Sequence, residues 1–216
     1  MNLDWIDKEE NSVIYFGDTM CSWCYGFAPE MDKFIKSHPE LKVRLVQGGL
    51  RPFNTELIYG LQDFLLPHWK EIEERTGQVF KYDILKNQKF IYDTEPASRA
   101  VVVARMIDES KEWAFFKKVQ TAFYKENKDT SKLSTYIEIA KELGLDTDKF
   151  TQLFDTDEAK YATKSDFQLS AEMGVKGFPS VVIKVGKEFF MISNGYREAK
   201  DLEEVYQRVL KEIASK

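Results

Sequence analysis

Strand-period patterning is confined to the two ends of this 216-residue chain, and that division constrains the fold more tightly than any other feature of the sequence. Near the start, SVIYFG (12–17) is a short apolar, aromatic and β-branched run closed by Gly17, which is the pattern of a buried strand. LKVRLVQ (41–47) alternates apolar and charged residues, and GGLRP then turns the chain. Near the other end, SVVIKV (180–185) and FFMISN (189–194) flank Gly186 as a hairpin. From about Glu56 to Met173 the apolar spacing is helical. Leu57, Leu61, Phe64, Leu65, Trp69 and Ile72 form one such series, Trp113, Phe116, Val119 and Phe123 a second, and Tyr136, Ile139, Ala140 and Leu143 a third. A single sheet must therefore join strands that lie on either side of a long helical stretch.

Further signals place the boundaries. Thr94-Glu95-Pro96 is a helix start with proline in the first turn, and Gly144 and Gly174 are helix stops. About five or six helices fit between the second and third strands. A helical pattern from Cys21 runs through Phe27, Met31, Phe34 and Ile35 with Pro29 inside it, where the missing N–H breaks one backbone bond. Strand, helix and strand in succession predict a parallel pair with a right-handed crossover. A final helix carries Leu202, Val205, Tyr206, Val209, Leu210 and Ile213 on one face. The fold class is α/β, with no internal repeat. Residues 1–55 and 176–216 are expected to form one domain and residues 56–175 a helical insertion.

Composition bounds the partners. Hydrophobic residues make up 43% of the chain, enough to fill a sizeable core. Its 36 acidic and 31 basic residues are interspersed, giving a net charge of −5 with no basic block to neutralise phosphates, so nucleic acid is not an expected partner. The opening MNLDWIDKEENS is acidic and has no apolar core, so no secretory signal is read there. No run approaches the roughly 20 apolar residues of a membrane span. A cytoplasmic location without membrane attachment is expected.

Both cysteines lie in FGDTMCSWCYGFAPE (16–30), separated by two residues, between the first strand and the first helix. The thiolate is the form that attacks a disulfide, and a helix N-terminus presents unpaired N–H groups and a positive dipole end to it. Cys21 at that position is the expected nucleophile. Cys24, one turn further, is expected to resolve a mixed disulfide formed on Cys21. A zinc site requires about four ligands, and beyond the two cysteines the chain offers only His38 and His68, which are not spaced as a pair. Neither metal nor cofactor is expected beyond a redox-active Cys21–Cys24 disulfide. His38 and His68 are expected on solvated helix surfaces.

The order of elements, together with CSWCYGFAPE, GGLRP and GVKGFPSVVI (174–183), resembles the DsbA family of thiol-disulfide oxidoreductases, and within it the cytoplasmic FrnE-like branch of predicted protein-disulfide isomerases. The resemblance implies a thioredoxin-like fold with a large all-helical insertion between the second and third strands. It implies a cis Phe178-Pro179 bond, with the Phe178 backbone facing the cysteines and offering itself to an extended substrate. Substrate contacts are accordingly expected from Ser22, Trp23, Phe178 and Pro179, and Gly48-Gly49 either borders the substrate groove or simply turns the chain.

Two departures from the family stand out. DsbA has Pro-His between its cysteines, whereas Ser22-Trp23 stands here; the Ser22 hydroxyl can donate to the sulfur, but no cation lies nearby in sequence, so a strong oxidant is not expected. Trp23 reads equally as a landing surface for substrate and as a core aromatic. The buried carboxyl that thioredoxin-like proteins commonly place six residues before the first cysteine is replaced by Tyr15. Asp18 is the nearest acid, read chiefly as a loop residue bonding to backbone and secondarily, with Tyr15, as a candidate proton relay.

The expected activity is therefore protein thiol-disulfide exchange or isomerisation on protein or peptide disulfides and thiols, with glutathione among the candidates. Two other readings remain. One is a glutathione-dependent isomerase or transferase of the kappa-class or hydroxychromene-carboxylate isomerase type, against which the retained Cys24 weighs. The other is a non-catalytic, chaperone-like binding module.

Overall fold

The computed structural model describes residues 11–215; the acidic opening segment MNLDWIDKEE lies outside the described residues. Strand β1 (Asn11–Gly17), helix α1 (Ser22–Ser37) and strand β2 (Lys42–Gln47) open the chain. Six helices follow: α2 (Gln62–Thr76), α3 (Glu95–Ile107), α4 (Glu112–Tyr124), α5 (Leu133–Glu142), α6 (Thr147–Phe154) and α7 (Asp157–Glu172). Strands β3 (Ser180–Val185) and β4 (Glu188–Asn194) and helix α8 (Ala199–Ala214) close it.

The strands form one sheet in the order β2-β1-β3-β4. β1 runs parallel to β2, with Tyr15 opposite Leu45, and antiparallel to β3, with Phe16 opposite Ser180. β3 and β4 are an antiparallel hairpin with a register shift at Val181 and Val182. Because side chains alternate across a strand, β1 feeds two cores. Val13 and Tyr15 join the large core built with Phe27 and Phe34 of α1 and Leu202 and Tyr206 of α8. Ile14 and Phe16 pack on the other face with Val46, Val182 and Leu169 of α7. The large core continues without a break into the helical insertion through Trp69, Ala100, Phe116, Phe123 and Phe150.

Local chemistry explains the helix limits. Asp146 accepts from the N–H groups of Asp148 and Lys149 to cap α6, and the Thr156 hydroxyl accepts from Ala159 N–H to cap α7. Gly144 and Gly174, just beyond α5 and α7, take positive φ values of 74° and 71°, which glycine adopts without a Cβ clash. Pro29 does not end α1. The Tyr25 carbonyl that its absent N–H leaves open accepts instead from the Gln78 side chain at 2.9 Å.

Two expectations fail here. The helical series from Leu57 to Ile72 is out of phase at its start, because Ile58–Leu61 is a tighter 3₁₀ turn and α2 begins only at Gln62. Leu65, Trp69 and Ile72 are buried, while Leu57 makes an isolated bridge to Ile91 and Phe64 is 68% exposed. His38 is not on a solvated surface. It caps the C-terminal end of α1 beneath Phe34 and Tyr206, with Nδ1 3.1 Å from Glu40 and Nε2 2.6 Å from Glu203. Burial disfavours its charge, but the two carboxylates outweigh burial and raise its pKa.

One polar network ties the insertion to the sheet. The Arg105 guanidinium of α3 donates to both carboxylate oxygens of Asp166 on α7 at 3.0 Å, to Glu112 of α4 at 3.1 Å and to the Leu45 carbonyl at 3.2 Å. Asp166 also accepts from Gln47 N–H at 3.1 Å. Removing Asp166 takes from the largely buried Arg105 charge the one partner that it grips through two oxygens, leaves it Glu112 alone, and frees the Gln47 N–H. We predict that Asp166→Ala lowers the unfolding free energy by about 3 kcal/mol, the lower end for breaking a buried pair because part of Arg105 reaches solvent. A urea titration checks this, and a loss under about 1 kcal/mol, as for a surface pair, contradicts it.

Candidate active site

The site lies where β1 delivers the chain to α1. Cys21 is the N-cap of α1 in extended conformation, with φ −87° and ψ 116°. No side chain caps the helix and its first turn holds no acidic residue, so nothing competes with a sulfur anion for the free N–H groups. A turn holds Cys21 in place: its N–H donates to the Asp18 carbonyl at 3.1 Å, and Met20 N–H donates to the Asp18 carboxylate at 2.8 Å. The pairing of β1 with β3 brings the far end of the chain to the same point. The Phe178-Pro179 peptide is cis, and the Cys21 thiol lies 3.5 Å from the Phe178 carbonyl oxygen, 157 residues away in sequence.

The two thiols differ in environment. They are not joined in a disulfide; Cys21 retains 6% exposure and Cys24 none. Burial pushes the Cys24 thiol well above its ordinary value, and the adjoining Cys21 sulfur adds to this. The backbone N–H of Asp18 and the Tyr15 hydroxyl offset only part of the shift.

Tyr15 and Asp18 both belong to this buried cluster. Burial first, and Cys24 second, raise the Tyr15 phenol well above its ordinary value. Its hydroxyl lies beside the Cys24 thiol without completing a hydrogen bond of regular geometry to it. Asp18 is fully buried although it sits in a turn. Its second carboxylate oxygen accepts from Leu50 N–H at 2.7 Å, fastening the GGLRP loop to the cysteine turn. Burial raises the Asp18 carboxyl to about 6, against the opposing pull of the Leu50 and Met20 N–H groups.

The expected substrate contacts are distributed around this centre. Ser22 is buried in the first turn of α1. Trp23 is half-buried. It packs on the core yet stands in a surface row, its ring 5.9 Å from both His68 and Tyr196, while His68 stacks on exposed Phe64. The Arg75 guanidinium lies 5.6 Å from the Trp23 ring and 5.3 Å from that of Tyr196. Gly48 requires the absence of a side chain: a Cβ there would come within 2.3 Å of the Phe178 ring. Gly48 thus borders Phe178, whereas a Cβ on Gly49 would meet the Phe167 ring. Neither histidine joins the cysteines.

Sequence reasoning missed Tyr92 and Tyr124. Both donate their hydroxyls to the Met20 carbonyl at 2.6 Å, directly before Cys21. They lie 72 and 104 residues from Met20, and their apolar neighbours read only as core.

A family model described as the DSBA-like thioredoxin domain matches residues 12–207. The chain belongs to this family. Among solved members and relatives, a "putative protein disulfide isomerase" from Nitrosomonas europaea is 36% identical, with a TM-score of 0.88 over 94% of this chain and 99% of that one. The cytosolic disulfide reductase DsbM from Pseudomonas aeruginosa, solved with GSH, is 23% identical, with a TM-score of 0.75 over 93% and 99% of the two chains. A 2-hydroxychromene-2-carboxylate isomerase shares the fold at 17% identity, with a TM-score of 0.66 over 94% and 98%. A comparison with curated proteins gives no match. As a DSBA-like domain the chain has the α/β, thioredoxin-like architecture expected from its sequence, and no helix among the described residues is long and apolar enough to cross a membrane.

Two outcomes follow from this geometry. Asp18 binds its proton more tightly in the folded than in the unfolded chain. The stability it contributes is full below pH 3.8 and is lost as pH rises to about 6. Relative to Asp18→Asn, the wild type should therefore lose roughly 2 kcal/mol between pH 4 and pH 7, read from urea midpoints across pH; a flat difference contradicts the burial account. Gly48→Ala should displace the Phe178 ring and destabilise the fold by about 1–3 kcal/mol, the usual range for overpacking. A crystal structure of that variant with Phe178 unmoved would disprove the close approach.

Proposed function

We propose that the protein is a thiol-disulfide oxidoreductase or protein-disulfide isomerase in which Cys21 is the nucleophile and Cys24 the resolving thiol. The observation that carries this reading is the Cys21 thiol standing at the free N-terminus of α1 and against the Phe178 carbonyl. Cys21 attacks one sulfur of a substrate disulfide, releasing the other as a thiolate and forming a mixed disulfide. Cys24 gives up its proton and attacks the Cys21 sulfur; the protein disulfide forms and the second substrate thiol leaves. The reverse sequence donates a disulfide.

Each neighbour has a part in this sequence. The high proton affinity of Cys24 keeps it in reserve as a thiol until the mixed disulfide forms. Tyr15, whose hydroxyl lies beside the Cys24 thiol, and Asp18, whose backbone does, are our candidates to relay its proton. An extended peptide would run along the Phe178 backbone at the edge marked by Pro179, with its side chains on Trp23 and the adjacent aromatic row. Arg75, held by ring contacts alone among the described residues, offers a cation to a carboxylate on the substrate. Glutathione, the ligand of the fold relative DsbM, carries two such groups and is the small thiol we would test first. No resident cofactor is required, and a cytoplasmic setting fits a pair that is recycled by thiols.

Limited alkylation of the reduced protein near neutral pH should modify Cys21 before Cys24, because only Cys21 is reachable from solvent. Cys24→Ser should accumulate mixed disulfides with disulfide-bonded insulin or with oxidised glutathione, seen as added mass, while Cys21→Ser accumulates none and loses insulin reduction. Adducts on Cys24, or insulin reduction surviving in Cys21→Ser, would reverse the assignment.

A further inference from the structure

The hydroxyls of Tyr92 and Tyr124 converge on one atom. Tyr92 precedes α3 and Tyr124 ends α4, so both come from the helical insertion, and both are buried. Each donates to the Met20 carbonyl oxygen at 2.6 Å. A carbonyl oxygen has two lone pairs, and here both are filled by phenols rather than by backbone N–H groups. That carbonyl belongs to the peptide bond whose N–H is that of Cys21, which in turn donates to the Asp18 carbonyl. Two buried side chains from separate segments thus fix the peptide that introduces the reactive cysteine.

The electrostatic setting gives this arrangement a use beyond packing. Cys21 shares its buried surroundings with Cys24 on α1, Tyr15 on β1, Asp18 in the turn and the two phenols, and Arg51 lies over the Tyr92 ring at 5.6 Å. Apart from Arg51, each of these groups is neutral or negative, and an unpaired carbonyl oxygen would add a further negative end beside the sulfur. Buried without a partner, that oxygen would also cost about 1–3 kcal/mol. The phenols give the oxygen both of its hydrogen bonds and turn two O–H dipoles, positive end first, toward the start of α1.

We propose that Tyr92 and Tyr124 are positioning residues for Cys21: by occupying both lone pairs of the Met20 carbonyl they offset its negative end and hold the Cys21 peptide at the helix N-terminus, where the free N–H groups favour an anion on the sulfur. The proposal rests on the reading of Cys21 as nucleophile. It makes the insertion part of the reactive centre, since the two donors reach the cysteine turn only while α4 and the segment before α3 are seated.

The test uses Tyr92→Phe, Tyr124→Phe and the double variant, each in the Cys24→Ser background so that Cys21 alone reacts. The rate of alkylation by iodoacetamide is measured at pH 7 and again at a pH high enough for the rate to plateau. Each single variant should react about two to three times more slowly at pH 7, and the double variant about fivefold more slowly, since each bond reaches the sulfur only through the Met20 peptide and is worth about 0.5 kcal/mol, the low end for a hydrogen bond. The plateau rate should be unchanged. Tyr136→Phe removes another buried phenol-to-carbonyl bond of the insertion, to Thr130, and should leave both rates unchanged. If both rates fall by one factor, or if neither moves, the tyrosines only support the fold. The single variants decide the matter should the double variant not fold. Failure of Cys24→Ser to trap any substrate disulfide would refute the exchange activity, whereas the alkylation profile judges the tyrosines separately.

Discussion

The antiparallel pairing of β1 with β3 governs everything at the centre of this molecule. β1 leads directly into the cysteine turn and β3 begins directly after Pro179, so the register that sets Phe16 opposite Ser180 also sets the Cys21 sulfur against the Phe178 carbonyl. A one-residue slip would reverse every side chain of β1 between the two cores, exchanging Tyr15 for Phe16 next to Cys24. The hydrophobic pattern of β1 is apolar on both faces, and it is the shape of the two cores, with aromatic packing around Tyr15 on one side and Leu169 and Val182 on the other, that selects the register.

With the strands fixed, burial separates two chemically identical thiols. Cys21 stands at the helix end where backbone N–H groups are free, and Cys24 lies one turn inside a dry cluster that resists charge. Burial likewise raises Asp18 in the turn and Tyr15, whose hydroxyl lies beside the thiol that must lose a proton in the second half of the proposed exchange. Asp18 also holds the GGLRP loop through Leu50 and the turn through Met20, so its carboxyl has structural work as well as a proton of unusual affinity. The insertion completes the arrangement. Its phenols hold the Met20 carbonyl, and its Arg105 is bonded to Asp166, Glu112 and the β2 backbone.

Most of the frame was legible in the sequence, since a strand such as SVVIKV and a helix such as α8 announce their period locally. The cysteine pair was legible for the same reason: its spacing and its place between a strand and a helix are local facts. What escaped notice depended on contacts between distant segments. Tyr92 and Tyr124 sit in apolar surroundings that any core would produce, and only the packing of α3 and α4 against the turn brings their hydroxyls to one oxygen. His38 read as a surface residue because its partner Glu203 arrives from α8, 165 residues later. Leu57 and Phe64 misled because a 3₁₀ turn changes the angular step between successive residues, so the apolar count ran ahead of the helix.

The central claim is that burial holds Cys24 protonated while Cys21 remains the thiol in contact with solvent. Cysteine-selective ¹³Cβ labelling of the reduced protein, followed by NMR across pH, tests it directly because the shift reports ionisation of each sulfur separately. The account predicts that the Cys24 resonance keeps its thiol position through pH 9, its ordinary value, and beyond. A Cys24 resonance that moves to its thiolate position below pH 9 would contradict it.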